Sequence, residues 1–317
     1  MKTHLNLQST YWHSYLNNIP ATTIISIIQE KTIEINRKKI HIDIFEPDSA
    51  KNCKGNIVFI HGTSIYSRFY AEFCYEMAMK GFRMIVPDML GHGLSEGIRG
   101  HFTMNSVVST LTDIVKFVQK QYSEKIGMMG SSLGGISSLY AATAKLPLNA
   151  IVCHNAAVFS EEAHKQIVTV KGLFKLLLPL VPFLSKIFPK MKVSVLQYLP
   201  AEKLANNPRG FELFELFTKD PLLVEKYTLT TLRAQMRDAP ANPIETITIP
   251  TMFINGEKDL LFTSSYMQSL FDRLQCASKE FIILENQAHL IFQEDPRLVA
   301  EKVAPFLEHH LQNRDIG

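Results

Sequence analysis

Up to about Asn155, short unbroken apolar runs alternate with segments whose apolar residues recur at intervals of three and four. The runs "GNIVFIHG", "FRMIVPD", "KIGMMG" and "NAIVCHNA" are brief and rich in Val, Ile, Phe and Met. Such runs suit strands covered on both faces. Between them, "RFYAEFCYEMAMKG" and "MNSVVSTLTDIVKFVQKQY" carry the spacing of amphipathic helices, the first closed by Gly81 and the second opened by "TMN". Ahead of these, "TIEINRKKIHIDIFEP" reads as two strands around the polar "NRKK". Strand, helix and strand in regular order predict an α/β fold, a mostly parallel sheet with helices on both faces.

From Asn155 to about Thr246 the alternation stops. The chain there is helical in pattern and broken by prolines at 179, 182, 189, 200, 208, 221, 240 and 243. The rhythm then returns, with "ITIPTMFING" and "KEFIILEN" as strands, "TSSYMQSLFDRLQ" as the helix between them and "PRLVAEKVAPFLEHHLQ" as a closing helix. This predicts one α/β core built from residues 1–155 and 246–317, with a helical insertion at 156–245. The first thirty or so residues carry the weakest pattern.

Composition narrows the function classes. The chain has 317 residues, 46% of them hydrophobic, and a net charge of only +3 from 33 basic and 30 acidic residues spread throughout. A large core is affordable by length, and no basic face calls for nucleic acid. The four cysteines, Cys53, Cys74, Cys153 and Cys276, are far apart and form no C-x-x-C pair. They fit reduced thiols, and metal binding through cysteine is not expected. The start "MKTHLNLQSTYWHSYLNN" lacks the features of a signal peptide, so the expectation is a cytoplasmic protein. The most lipophilic stretch, Gly172 to Phe188, holds Lys175, Lys186, Pro179 and Pro182 and falls short of the ~18 to 20 residues needed to span a bilayer.

Candidate chemistry begins at "GSSLG", which fits G-x-S-x-G in one register, Gly130, Ser131, Ser132, Leu133 and Gly134. A serine on a tight turn from strand to helix needs neighbours without bulk two positions to either side, because adjacent backbone passes close by. The turn lifts the hydroxyl of Ser132 above the sheet edge and aims a helix N-terminus at it. Serine is a weak nucleophile and requires a base, which in turn requires an orienting acid. His289 lies in the polar loop after the last strand; His309 and His310 fall in a polar terminal helix and read as a solvated face. For the acid, Asp259 in "TMFINGEKDLLF" is preferred to Glu257, which is nearer the strand. The order Ser132, Asp259, His289 is the one used by doubly wound hydrolases.

An oxyanion site needs two backbone donors, expected at Leu133, after the serine, and at Thr63 in "HGTS". His61 reads as a brace for that loop. In "VPDMLGHGLSEGIRGHF", Asp88, His92 and His101 could suggest a metal or a second acid and base pair, but polar side chains among glycines commonly tie down main-chain groups. No metal and no cofactor is expected.

Together "HGTS", "PDMLGHGLSEG", "GSSLGG", "NGEKD" and "NQAH" resemble the α/β-hydrolase superfamily. "DMLGHGLSEG" followed by "RGHF" is similar to its monoacylglycerol lipase and lysophospholipase branch, grouped with serine aminopeptidase-like hydrolases. The resemblance covers about Ile33 to Leu311. It implies Ser132 as nucleophile, Asp259 as acid, His289 as base, Thr63 and Leu133 as oxyanion donors, and the insertion as a cap between the sixth and seventh sheet strands. Ser131 stands where relatives often carry His or another residue, and the cap does not match motif by motif.

These residues lead to a serine esterase acting on a small-molecule acyl ester, with a monoacylglycerol or lysophospholipid as the leading substrate class. That class rests on the stretch from Val170 to Leu199, where apolar residues are interspersed with Lys171, Lys175, Lys186, Lys190 and Lys192, a mix suited to peripheral contact with an anionic lipid interface. An amidase or aminopeptidase, a small-ester carboxylesterase and a non-enzymatic binding protein are the alternatives. Oligomeric state is not legible.

Overall fold

A computed structural model of the chain describes residues 10–167, 177–199, 204–205, 207–217 and 219–312. Ten strands occur among them: β1 (Ile28–Ile35), β2 (Lys38–Phe45), β3 (Gly55–Ile60), β4 (Phe82–Pro87), β5 (Ile126–Ser131), β6 (Ala150–His154), β7 (Lys192–Ser194), β8 (Lys226–Thr228), β9 (Thr251–Gly256) and β10 (Lys279–Leu284). Eight form one sheet in the order β1-β2-β4-β3-β5-β6-β9-β10. β1 and β2 pair antiparallel, as do β2 and β4, and every later pairing in this sheet is parallel. The apolar runs of β3, β4, β5 and β9 are buried at every position, as continuous apolar patterning requires.

Helices Ala71–Met79 and Pro296–Gln312 pack together on one face of the sheet, while Met104–Gln121 and Leu133–Thr143 pack together on the other. Thr103 caps the long helix by accepting the Ser106 N–H, and Gly81 takes φ +95° after Ala71–Met79, a conformation open to glycine without steric cost. From β3 the chain moves to β4 on one side and then to β5 on the other. Strand order thus reverses at β3 and β5, and at such a reversal the loops after the strands separate and leave a crevice.

The segment between β6 and β9 is mostly short helices, as its pattern predicts, but it also holds the three-residue antiparallel pair β7 and β8. It is tied to the loops that follow β3 and β4 through Val224, whose N–H donates to Ser64 O (2.8 Å), and Thr228, whose N–H donates to Gly100 O (3.0 Å). Within the weakly patterned amino end, Trp12, Tyr15 and Ile24 are buried. Trp12 covers the guanidinium of Arg68, itself buried and paired through Nε and Nη2 with the Asp43 carboxylate at 3.1 Å. His41 Nε2 lies 3.1 Å from the same carboxylate. The four cysteines are free thiols.

Candidate active site

Strand β5 ends at Ser131, and the helix Leu133–Thr143 starts one residue later. Ser132 joins them with φ 56° and ψ −116°, a strained backbone for a residue with a side chain. The turn fits only because its flanks are bare. A Cβ on Gly130 would stand 2.2 Å from Gly134 C, and one on Gly134 would stand 2.0 Å from Ile60 O. Ser132 N–H donates to His154 O at 2.9 Å, which fixes the elbow to the end of β6. The N–H of Leu133 belongs to the first turn of a helix, where donors have no intrahelical acceptor.

Asp259 follows β9 and His289 follows β10, so parallel neighbours deliver both to the edge where Ser132 stands. His289 Nδ1 lies 2.8 Å from Asp259 Oδ2, with both side chains buried. Asp259 Oδ1 accepts the N–H groups of Leu261 (2.8 Å) and Phe262 (2.9 Å). Burial works to raise the Asp259 pKa, but the neighbouring His289 and the Phe262 N–H outweigh it and hold the carboxyl below its ordinary value. The carboxylate therefore stays ionised and its partner nitrogen must carry the proton. The imidazole of His289 stacks on Phe262, with ring centres 5.8 Å apart, and Nε2 is left for other chemistry.

Ser132 and His289 line one cavity of about 330 Å3, walled mainly by apolar side chains that include Phe69, Leu199, Phe214 and Leu223. Thr63 lines it too. On its other side Ser132 borders a smaller hollow of about 60 Å3, again with Thr63 and now with Leu133. The loop holding Thr63 is braced as expected: His61 Nδ1 donates to Gly62 O (2.9 Å), and its Nε2 accepts the Met89 N–H (3.0 Å). Tyr70 Oη accepts the Gly62 N–H at 3.2 Å. Hydroxyl, imidazole and carboxylate beside first-turn N–H groups form an arrangement able to attack a carbonyl and stabilise the oxyanion that results.

The other polar candidates are structural. Asp88 accepts the N–H groups of Ser67 and Leu94, both at 2.8 Å. His92 Nδ1 donates to Leu90 O (3.2 Å), and its Nε2 accepts the Tyr227 hydroxyl (3.1 Å), which itself accepts the Ser64 N–H. Burial holds both His61 and His92 below the ordinary imidazole range, so neither is charged near neutral pH. His101 Nδ1 contacts Thr228 Oγ1 at 3.0 Å. Glu257 accepts the Asn286 N–H on the surface. His310 contacts Ser278 in the terminal helix, whose Leu311 abuts Gly55 at the opposite, amino end of β3.

Three polar residues at the site went unnoticed in the sequence. Asn155 Nδ2 donates to Asp259 Oδ2 (3.0 Å) and to Asn255 Oδ1 (2.5 Å). His154 is fully buried, with Nδ1 3.2 Å from Ser131 Oγ and its ring centre 5.3 Å from that of His289. Burial, and after it the nearby His289, push the His154 pKa down to about 3. The one available signal was polarity arriving abruptly after the apolar "AIVC". His154, Asp259 and His289 bring potential ligand atoms within 4.8 Å of one another, yet the His289 and Asp259 atoms are spent on each other.

A sheet of this order with a strained serine elbow and a histidine and aspartate pair at its carboxyl edge is that of an α/β hydrolase. The family described as serine aminopeptidase, S33 matches residues 51–296. The chain belongs to that family of hydrolase enzymes. It is 24% identical over 280 residues, 86% of its length, to a monoacylglycerol lipase of Mycolicibacterium smegmatis, of which 94% is covered. Among solved structures, a Paleococcus ferrophilus monoacylglycerol lipase superposes with a TM-score of 0.70 at 22% identity, covering 86% of this chain and 99% of that one. A thermostable carboxyl esterase from Bacillus coagulans gives 0.70 at 17% identity, covering 90% of this chain and 99% of that one.

Proposed function

We propose that the protein hydrolyses monoacyl esters of lipid-like alcohols through an acyl-Ser132 intermediate. The carrying observation is the apolar cavity that opens on Ser132 and His289 while Asp259 holds the far side of the imidazole. The His289 proton sits on Nδ1 toward Asp259, so Nε2 takes the proton of Ser132 Oγ as that oxygen bonds to the ester carbonyl carbon. The carbonyl oxygen becomes an oxyanion facing the N–H groups of Thr63 and Leu133. Its collapse breaks the ester C–O bond, and the proton on Nε2 passes to the departing alcohol. A water then gives a proton to Nε2 as its oxygen bonds to the acyl carbon; collapse breaks the bond from that carbon to Ser132 Oγ, Nε2 returns its proton to Oγ, and the acid is freed. The relatives named as monoacylglycerol lipases support this reading.

Residues 156–245 act as a cap in this reading, and its outer surface faces lipid. Phe183, Ile187, Phe188 and Met191 are exposed beside Lys186, Lys190 and Lys192, a pairing of apolar and cationic groups that suits an anionic interface. Lys171 and Lys175, also implicated by sequence, lie outside the described residues. No helix among the described residues is long and apolar enough to cross a membrane, and the contact proposed is a peripheral one. An aminopeptidase pocket would need a buried acid for the substrate amine; Glu225, at the cavity wall, is exposed.

Fluorophosphonate labelling tests the nucleophile, with Ser132→Ala as blank, and hydrolysis of monoacylglycerols of increasing chain length tests the cavity. Turnover on short p-nitrophenyl esters with no gain on longer monoacyl chains would overturn the lipid assignment.

A further inference from the structure

The end of β6 touches both extremes of the proposed reacting set. His154 O accepts the N–H of Ser132 at 2.9 Å. The next side chain, Asn155, donates to Asp259 Oδ2, the oxygen that also faces His289. Two consecutive residues thus span from the serine to the carboxylate.

The direction of the Asn155 amide is forced. Asn255 Nδ2 donates to Phe262 O (2.7 Å) and Gly256 O (3.2 Å), which uses both its hydrogens and turns its Oδ1 toward Asn155. Asn155 must answer with Nδ2, and the second hydrogen of that group reaches Asp259 at 3.0 Å. Phe262 N–H donates to Asp259 Oδ1 and closes a ring through Asp259, Phe262, Asn255 and Asn155. Reversing the Asn155 amide would set its oxygen against a carboxylate and a carbonyl oxygen. Asn155 Oδ1 has no partner among the described residues although the residue is fully buried. An unpartnered buried acceptor is costly, so the arrangement is held for the amide's donors rather than its oxygen. Asn155 also lies at φ 67°, a conformation that asparagine tolerates better than most residues with side chains.

We infer that Asn155 is a positioning residue for Asp259, and that its amide fixes the carboxylate rotamer and draws charge from Oδ2. This rests on the reading of Ser132, His289 and Asp259 as the reacting set. With two backbone N–H groups on Oδ1, and Asn155 with His289 on Oδ2, the carboxylate has no free rotation. A carboxylate deprived of one donor binds a proton, or a protonated imidazole, more strongly.

Asn155→Gly and Asn155→Asp both accept the left-handed backbone. Asn155→Gly is expected to lower kcat about tenfold, the size of a lost hydrogen bond to a charged group, with KM nearly unchanged. The acid limb of its kcat/KM profile moves to higher pH, a shift that loosened packing alone would not produce. Asn155→Asp sets a second carboxylate against Asp259 and costs more. Asn255→Ser breaks the ring one residue away, shifts the same limb less and decides the matter if the Asn155 variants do not fold. Folded variants with parental kcat and an unmoved limb would overturn the assignment. Failure of the parent itself to label at Ser132 would instead remove the reading on which it rests.

Discussion

His289 Nδ1 and Asp259 Oδ2 stand 2.8 Å apart although their residues are separated by the helix Ser264–Arg273 and strand β10. Because the carboxylate is held ionised by its partners, the imidazole is locked in one tautomer. Replacing Asp259 by Asn presents an N–H to Nδ1 and reverses that tautomer. The expected loss in kcat is of order 10^4, as in other hydroxyl, imidazole and carboxylate sets. A loss smaller than tenfold on a soluble ester would show that some other group orients His289.

Gly134 cannot become alanine without moving β3. Its Cβ would meet Ile60 O at 2.0 Å and His61 O at 2.9 Å, both backbone atoms. Gly134→Ala should destabilise the fold by more than about 4 kcal/mol, the range of severe core overpacking, and thermal unfolding would register it. A variant that melts with the parent would mean that the elbow and β3 yield easily.

Stability should decline on the alkaline side of neutrality. Burial works against charge on His41, but Asp43 at 3.1 Å outweighs it and raises the His41 pKa to about 9 from an ordinary 6.5. A folded-state pKa above the unfolded one favours the native state fully below pH 6.5, and the advantage disappears as pH rises through 9. The size is at most on the order of 3 kcal/mol, and the depressed pKa of Asp43 describes the same pair and adds nothing further. Denaturant melts from pH 6 to 9.5 should show the decline, and His41→Gln should flatten it. A parental curve already flat in that interval would contradict the pairing.

Phe183 and Ile187 are exposed and do not line the cavity that holds Ser132 and His289. Phe183→Ser with Ile187→Ser should weaken co-sedimentation with anionic vesicles at least tenfold, by loss of buried apolar area, while leaving short-ester turnover unchanged. Equal co-sedimentation of both proteins would place the interface elsewhere.

The sheet was readable because buried parallel strands leave unbroken apolar runs, as at "NIVFI" and "IVCH". The hairpin was readable too, although its turn is narrower than "NRKK" suggests: Asn36 and Arg37 alone take positive φ, and Lys38 and Lys39 join β2. Three-residue strands such as β7 and β8 carry no period and stay invisible beforehand. The serine, aspartate and histidine announced themselves through order and loop position. Asn155 did not, because its value lies in an amide direction imposed by Asn255 and Phe262, a hundred positions away. Pairwise geometry of that kind leaves no local trace.

Tyr15 donates to Asp220 at 2.5 Å, Arg209 reaches back to the carbonyls of Ser14 and Leu16, and the Asn17 N–H donates to Glu72 at 2.6 Å. The stretch Ser14–Asn17 is therefore a clasp between the insertion that holds Arg209 and Asp220 and the helix Ala71–Met79 of the sheet body. A protease nick or a fused tag near Tyr15 would loosen that insertion from the sheet body at a point more than a hundred positions from Ser132 in sequence.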